Sequence, residues 1–308
     1  MSKIIRIGTR DSELALWQAT TVQQKIEDLG FDTILVPIKS TGDQVLDKPL
    51  YELGITGIFT KTLDVALLKG QIDIAVHSMK DVPTQLPQGI VQTAVLERAV
   101  TSDILVHKGV SFLQSENSAT IATGSLRRKA QWLHKYPHHK VADLRGNVNS
   151  RLLKLIENDW NGAIFAQAGL ERIKLLPKDA ISLDWMIPAP AQGAMLIVAL
   201  EKDAFSREVT QKLNHKDSEI TTTIEREFLR ALEGGCTAPI GALANIKDQS
   251  VHFIGTVFSL DGKQKVDIEK TIPVKSAKGF GEICAQEVLS NGGDKLMESI
   301  RNENSTLH

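Results

Sequence analysis

The sequence predicts an α/β protein of two lobes of related design, followed by a smaller α+β domain. Three observations support this. Short apolar runs alternate with longer stretches of helical period. A similar succession of elements restarts near residue 101. After Asn214 the chain changes to a polar helix and then strands joined by a tight turn. The 308 residues are enough for two or three domains, since one domain usually takes about 100–200 residues.

Residues 4–7 read as a strand, and Asp11 or Ser12 can cap the helix that follows. In that helix Ala15, Ala19, Val22, Ile26 and Leu29 recur three or four apart, forming one buried stripe that Gly30 ends. Residues 33–38 read as a second strand and 63–69 as a second helix. The nearly all-apolar run at 72–76 has the composition of a central parallel strand. In the second series, strands are expected at 104–106, 119–122 and 163–166, with a helix over 126–136 that stops at Pro137. Residues 195–200, after Pro188 and Pro190, form a strand that could join either half, so the first lobe can be discontinuous. The last domain begins with a helix over 218–232 and a Gly-Gly-Cys turn. Strands at 251–259 and 263–272 follow around Asp261-Gly262, a hairpin signal, and then a helix over about 279–289.

Composition narrows the function. With 42% hydrophobic and 24% charged residues, disordered, collagen-like and coiled-coil classes are excluded. Lys+Arg 36 against Asp+Glu 37 argues against a dedicated nucleic-acid binder. No apolar run approaches the ~20 residues of a membrane helix, and the N-terminus shows no signal-peptide core. Two cysteines, Cys236 and Cys284, cannot form a disulfide framework, and a reducing cytoplasm is the expected compartment.

Three segments could carry chemistry. His77-Ser78-Met79-Lys80-Asp81-Val82-Pro83 directly follows a strand, where open α/β sheets bind ligands. Lys80 offers a cation and Asp81 a carboxylate for protons or developing positive charge; alternatively Asp81 caps a turn and Lys80 is solvated. Thr123-Gly124-Ser125-Leu126-Arg127-Arg128-Lys129 starts a helix after a strand and so suits an anion, with Arg145, Arg151 and Arg172 further on. Its alternative is a solvated basic helix face. Trp132 and Tyr136 among the basic residues admit a nucleic-acid reading, which the break at Pro137 and the neutral overall charge weaken. His134, His138 and His139 lack a continuous helix and further ligands, so they are expected at the surface and no metal is expected. In Glu233-Gly234-Gly235-Cys236-Thr237 the thiol is either a reachable nucleophile or a small buried hydrophobe. Cys284, within a helical pattern, is assigned to burial.

Together with Ile7-Gly8-Thr9-Arg10-Asp11-Ser12, Leu144-Arg145-Gly146-Asn147-Val148 and Pro190-Ala191-Gln192-Gly193-Ala194, these segments resemble the porphobilinogen deaminase (hydroxymethylbilane synthase) family, in order and over nearly the whole chain. The resemblance implies two lobes like those of type II periplasmic binding proteins, flanking an active-site cleft, plus a C-terminal domain. The implied divisions are residues 1–98 with 193–212, 99–192, and 213–308. It implies a cytoplasmic, monomeric transferase of porphyrin and heme biosynthesis. Such an enzyme joins four porphobilinogen molecules with loss of ammonia and releases the linear tetrapyrrole hydroxymethylbilane.

The resemblance further implies a dipyrromethane cofactor on Cys236 through a thioether, held by Lys80, Ser125, Arg127, Arg128 and Arg151. Arg10, Ser12, Phe59, Arg145, Arg172 and Gln192 would meet porphobilinogen and its oligomeric intermediates, while Asp81 would be the catalytic carboxylate. No nucleic-acid or membrane partner is implied. Two positions depart from the family pattern: Thr56 stands where a lysine is usual, and Glu13 where proline or lysine is usual. The rival reading from another class is a non-enzymatic two-lobed binding protein for a small carboxylate, with an unmodified Cys236.

Overall fold

The computed structural model describes residues 3–39, 60–114, 117–232 and 238–305. They fall into two compact units, one of residues up to 99 together with 192–220, the other of residues 100–191 and 221 onward.

The first unit begins with β1 (Ile5–Arg10), α1 (Glu13–Glu27), β2 (Thr33–Ile38), α2 (Lys61–Leu68), β3 (Ile74–Ser78) and β4 (Ile90–Val95). The second contributes β5 (Asp103–His107), β6 (Thr120–Ala122), α3 (Leu126–Lys135), β7 (Lys140–Ala142), α4 (Val148–Glu157), β8 (Gly162–Ala166), α5 (Gln167–Arg172) and β9 (Ile181–Ser182). The chain then returns to the first unit with β10 (Met195–Leu200) and α6 (Ala204–Gln211).

The first sheet has the order β2-β1-β3-β10-β4. Strands β1, β2 and β3 are parallel, whereas β10 runs antiparallel to both β3 and β4. The second sheet, β7-β6-β8-β5-β9, repeats this plan: three parallel strands, one antiparallel strand, then one aligned with the first three. The equivalent strands are β1 with β6, β2 with β7, β3 with β8, β4 with β9, and β10 with β5. Because the antiparallel strand comes last in one lobe and first in the other, the second lobe is a circular permutation of the first. The run at 72–76 is therefore central but not wholly parallel: β3 has β1 on one side and antiparallel β10 on the other.

Each lobe has its own core. Ile5, Ile7, Ile26, Ile74 and Ile197 are all fully buried in the first, and each such side chain contributes roughly 1.5–3 kcal/mol. The α1 stripe runs as expected through Ala19, Val22 and Ile26, but Leu29 lies beyond the helix and is exposed. In the second lobe Trp132 is fully buried among Leu105, Ile121 and Ile164. His139 departs from its expected surface position. It is buried, accepts the Trp132 indole N–H at 3.2 Å, and stacks on Tyr136 at 5.0 Å, because an indole N–H taken from water needs an acceptor.

The C-terminal part comprises α7 (Lys216–Ala231), β11 (Ile240–Lys247), β12 (Ser250–Phe258), β13 (Lys265–Pro273), α8 (Phe280–Val288) and α9 (Asp294–Ser305). Its antiparallel sheet has the order β11-β12-β13. Phe228, Phe253 and Phe280 meet edge to face beneath it, with centroids 5.2 and 6.0 Å apart. Asp248 and Gln249, at φ 47° and 57°, make the two-residue turn between β11 and β12. The Asp261-Gly262 hairpin is present with a longer loop, since β12 and β13 pair only as far as Phe258 and Lys265. Pro188 lies beside β11, where its carbonyl accepts the Ala242 N–H at 3.0 Å. Gly241 permits that approach, because a Cβ there would come within 2.9 Å of the Ile187 carbonyl oxygen. The fold is therefore α/β, with two periplasmic-binding-protein-like lobes and a smaller C-terminal α+β domain.

Candidate functional site

In the first unit the singled-out residues follow the carboxyl ends of parallel strands. Arg10 ends β1, and Ser12 occupies the N-cap position of α1 without its hydroxyl capping the helix. Lys80 and Asp81 lie in a single 3₁₀ turn, Met79–Asp81, immediately after β3. Met79 is buried and anchors this turn, while Lys80 and Asp81 on either face are half-buried.

Residues 192–194 strap the turn in place. The Met79 N–H donates to the Ala194 carbonyl at 3.0 Å, and the Ala99 N–H donates to the Gly193 carbonyl at 3.2 Å. Arg98 Nε donates to the Gln192 carbonyl at 2.8 Å. The buried Gln192 side chain accepts Lys80 Nζ at 3.2 Å, joining two residues that are 112 positions apart. Among the described residues the Asp81 carboxylate makes no hydrogen bond or ion pair, so nothing there supports the turn-capping alternative. His77, one strand residue earlier, is buried, and its imidazole is pushed down to about 4 by desolvation and then by the charge of Arg10. It is a neutral side chain at pH 7.

In the second unit the same strand ends carry cations. Ser125 caps α3, accepting the Arg128 N–H, and Thr123 Oγ1 accepts the Ser125 N–H at 3.2 Å. Gly124 lets the next loop come close: a Cβ there would lie 2.5 Å from the Leu144 carbonyl oxygen. That contact packs the Ser125 turn against the loop that holds Arg145. Arg151, in the first turns of α4, closes the same loop by donating Nε to the Gly146 carbonyl at 2.7 Å. Arg172 ends α5, which follows β8.

Arg127 and Arg128 are not a solvated helix face. Both are buried, and both reach the fully buried Asp103 on β5. Arg128 also donates Nη1 to the Ile164 carbonyl, and Arg127 donates Nη1 to the Ile187 carbonyl at 2.7 Å. With Trp132 also in the core, three side chains of the nucleic-acid alternative are packed inside the lobe. Burial lowers the pKa of Arg127 against the opposing pull of Asp103, and it also lowers that of Arg145. For Arg172 burial outweighs Glu171 and brings the guanidinium to about 10, still charged at pH 7.

The sequence reading missed Asp103, Arg98 and Glu225. Each acts through a partner far away in the chain, so no local spacing marks it. Cys236, Phe59 and Thr56 lie outside the described residues. Cys284 is fully buried in α8, with its thiol pushed up to about 11 by desolvation, as befits a packing residue. Among the described residues no cluster of His, Cys, Asp and Glu could hold a metal ion, and no helix is long and apolar enough to cross a membrane.

A buried guanidinium needs anionic or carbonyl partners. The second unit gathers Arg127, Arg128, Arg145, Arg151 and Arg172 around one set of strand ends, with a single buried carboxylate, Asp103, among them. Such a donor set suits a ligand bearing several carboxylates. A linear dipyrrole with acetate and propionate side chains fits that description.

Comparison with known proteins agrees with this chemistry. Residues 5–208 match the family model described as porphobilinogen deaminase, dipyromethane cofactor binding domain, and residues 220–290 match that of the porphobilinogen deaminase C-terminal domain. The porphobilinogen deaminase of Syntrophotalea carbinolica is 41% identical over 304 residues, covering 97% of this chain and 96% of its own. That of Chloroherpeton thalassium is 40% identical over 314 residues, covering 99% and 100%. Among solved structures the methionine-binding protein MetQ aligns with 68% of this chain and 89% of its own, at 17% identity and a TM-score of 0.44. On the family models and the near-complete relatives, the chain belongs to the porphobilinogen deaminase family.

Proposed function

We propose that this chain acts as its family does, as a hydroxymethylbilane synthase: it condenses four porphobilinogen molecules head to tail, with loss of ammonia, into a linear tetrapyrrole. The observation that carries the reading is the Met79–Asp81 turn, strapped by residues 192–194, with the Asp81 carboxylate uncommitted beside a Lys80 held by Gln192. The family's dipyrromethane cofactor, when bound, supplies the pyrrole carbon to which the first substrate is joined.

Asp81 is assigned as the catalytic residue. Its carboxylate stabilises the positive charge that develops as ammonia leaves, by accepting pyrrole N–H groups, and it assists proton transfer as the new carbon–carbon bond forms. Cys236 is assigned as the covalent anchor of the cofactor, through a thioether that survives release of product. Lys80, Ser125, Arg127, Arg128 and Arg151 are assigned to the cofactor carboxylates. Arg10, Ser12, Phe59, Arg145, Arg172 and Gln192 are assigned to porphobilinogen and the growing chain. Charge pairing at so many points favours the geometry in which only a pyrrole with both acid side chains seats correctly. The proposed domains are residues 1–98 with 193–212, 99–192 and 213–308, and the proposed state is a cytoplasmic monomer.

The test is the intact denatured mass of the purified protein against the 33.8 kDa of the bare chain. The expected outcome is a dipyrrole adduct that maps to the Cys236 peptide and colours with Ehrlich's reagent. A bare protein is then incubated with porphobilinogen. Failure both to acquire the adduct and to consume porphobilinogen would remove this reading in favour of a non-enzymatic binding protein.

A further inference from the structure

A fully buried carboxylate lies two helical turns before the end of α7 and serves no role assigned above. Glu225 accepts the Ala191 N–H on Oε2 at 2.6 Å and the Ala244 N–H of β11 on Oε1 at 2.7 Å, and it is 0% exposed. Two backbone donors on one buried carboxylate form a charge-assisted pair of bonds that is expensive to break.

Ala191 is the informative partner. Its φ is +62°, in the left-handed region where a residue bearing a Cβ is strained by roughly 1–2 kcal/mol, and it is fully buried. No glycine relieves that strain, so something outside the turn must hold it. Glu225 does so from one side, while Pro188, three residues earlier, is bonded to Ala242 of β11. The next residue in the chain is Gln192, whose side chain accepts Lys80 Nζ and whose carbonyl accepts Arg98 Nε.

We propose that Glu225 is a positioning residue: by holding Ala191 in its left-handed turn, it sets the direction in which Gln192 leaves that turn and so fixes the Lys80 ammonium next to Asp81. The inference rests on the reading of Lys80 and Gln192 given above for its functional meaning, but the geometric link does not depend on it. The same helix leads, after Leu232, into the segment that contains Cys236. One carboxylate thus secures both the helix that precedes the anchor cysteine and the turn that precedes Gln192.

The experiment measures the acylation rate of individual lysines in the native protein by competitive acetic anhydride labelling, alongside kcat and KM for porphobilinogen. The variants are E225Q, Q192A and their combination. Gln in place of Glu225 keeps the shape but offers one acceptor oxygen to two donors. Losing the Gln192 bond in Q192A is expected to raise Lys80 labelling about three- to tenfold, the worth of one hydrogen bond. E225Q is expected to raise it by a similar factor, and the double variant no further, because both changes break one linkage. Lys154, which donates to the Arg145 carbonyl, serves as the control and should not change.

Lys80 labelling at the wild-type rate in E225Q overturns the proposal. So does a rise shared equally by Lys154, or multiplication of the two effects in the double variant. Should E225Q not fold, A191V decides: it leaves Glu225 in place and puts a β-branched residue where φ is positive. Raised Lys80 labelling in A191V supports the linkage, and wild-type labelling overturns it. Loss of turnover in the unmutated protein would count against the functional reading alone, since the labelling arm is read without substrate.

Discussion

Arg128 donates both Nε and Nη2 to a single oxygen of Asp103, at 3.0 and 2.7 Å, while Arg127 Nη1 reaches the other oxygen at 2.7 Å. All three side chains are buried, so two guanidiniums share one carboxylate and the group keeps an excess positive charge. Removing the anion leaves two buried cations facing each other. Asp103→Asn is therefore expected to destabilise the protein by about 3–5 kcal/mol. Urea unfolding monitored by tryptophan fluorescence reads this directly, and a variant within 1 kcal/mol of the parent would show that the pair is dispensable.

The buried His77 imidazole makes stability depend on pH. Its pKa falls from 6.5 to about 4 on folding, so between these values the unfolded chain binds the extra proton. Stability is then fully present above pH 6.5 and is lost as the pH falls towards 4. The difference of ~2.5 units at about 1.4 kcal/mol each gives roughly 3 kcal/mol. Urea midpoints measured across this range should fall more steeply for the parent than for His77→Phe. Parallel curves would mean that His77 is not buried neutral.

For Asp81, the expected outcome of Asp81→Asn is an intact fold, full cofactor attachment and a kcat lower by at least about 10²-fold, the scale for losing a group that stabilises transition-state charge. The loss should appear in kcat more than in KM. Near-parental turnover would move the catalytic assignment elsewhere.

The two thiols should differ sharply. Cys284, buried and with its pKa raised to about 11, is expected to resist iodoacetamide until the protein is denatured. Protein lacking cofactor should then take up one adduct when native and two in urea, whereas loaded protein should take up none when native. Cys236→Ser should keep the mass of the bare chain after incubation with porphobilinogen. A loaded Cys236→Ser protein would contradict the anchor role.

Elements with a strong apolar pattern were legible in the sequence. The strand at 195–200 is β10 to the residue, and the helix stopped by Pro137 is α3 within one residue. Strands β7 and β9, with three and two residues, are too short to show a period, and α9 is polar nearly throughout. The hairpin at Asp248-Gln249 was missed because neither residue is glycine, although both adopt positive φ. At the site, the position of Lys80 and Asp81 after a strand and of Ser125 at a helix start could be read directly. What Arg127 and Arg128 hold could not, because Asp103 lies 24 and 25 residues away on another strand. The same reason hid Glu225 and Ala191, 34 residues apart.

The permuted order of the two lobes also governs how they can be assembled. Every strand of the second sheet is made between residues 103 and 182. The first sheet cannot be finished until β10 arrives, since that strand sits between β3 and β4. During synthesis the N-terminal lobe therefore waits, with β3 and β4 lacking their shared neighbour, while the lobe that follows it already has all of its strands. Loop closure over so long a separation is slow, and open strand edges invite pairing with other chains. The lobe that leaves the ribosome first is the last to close, and its incomplete sheet is where misassembly of this chain would begin.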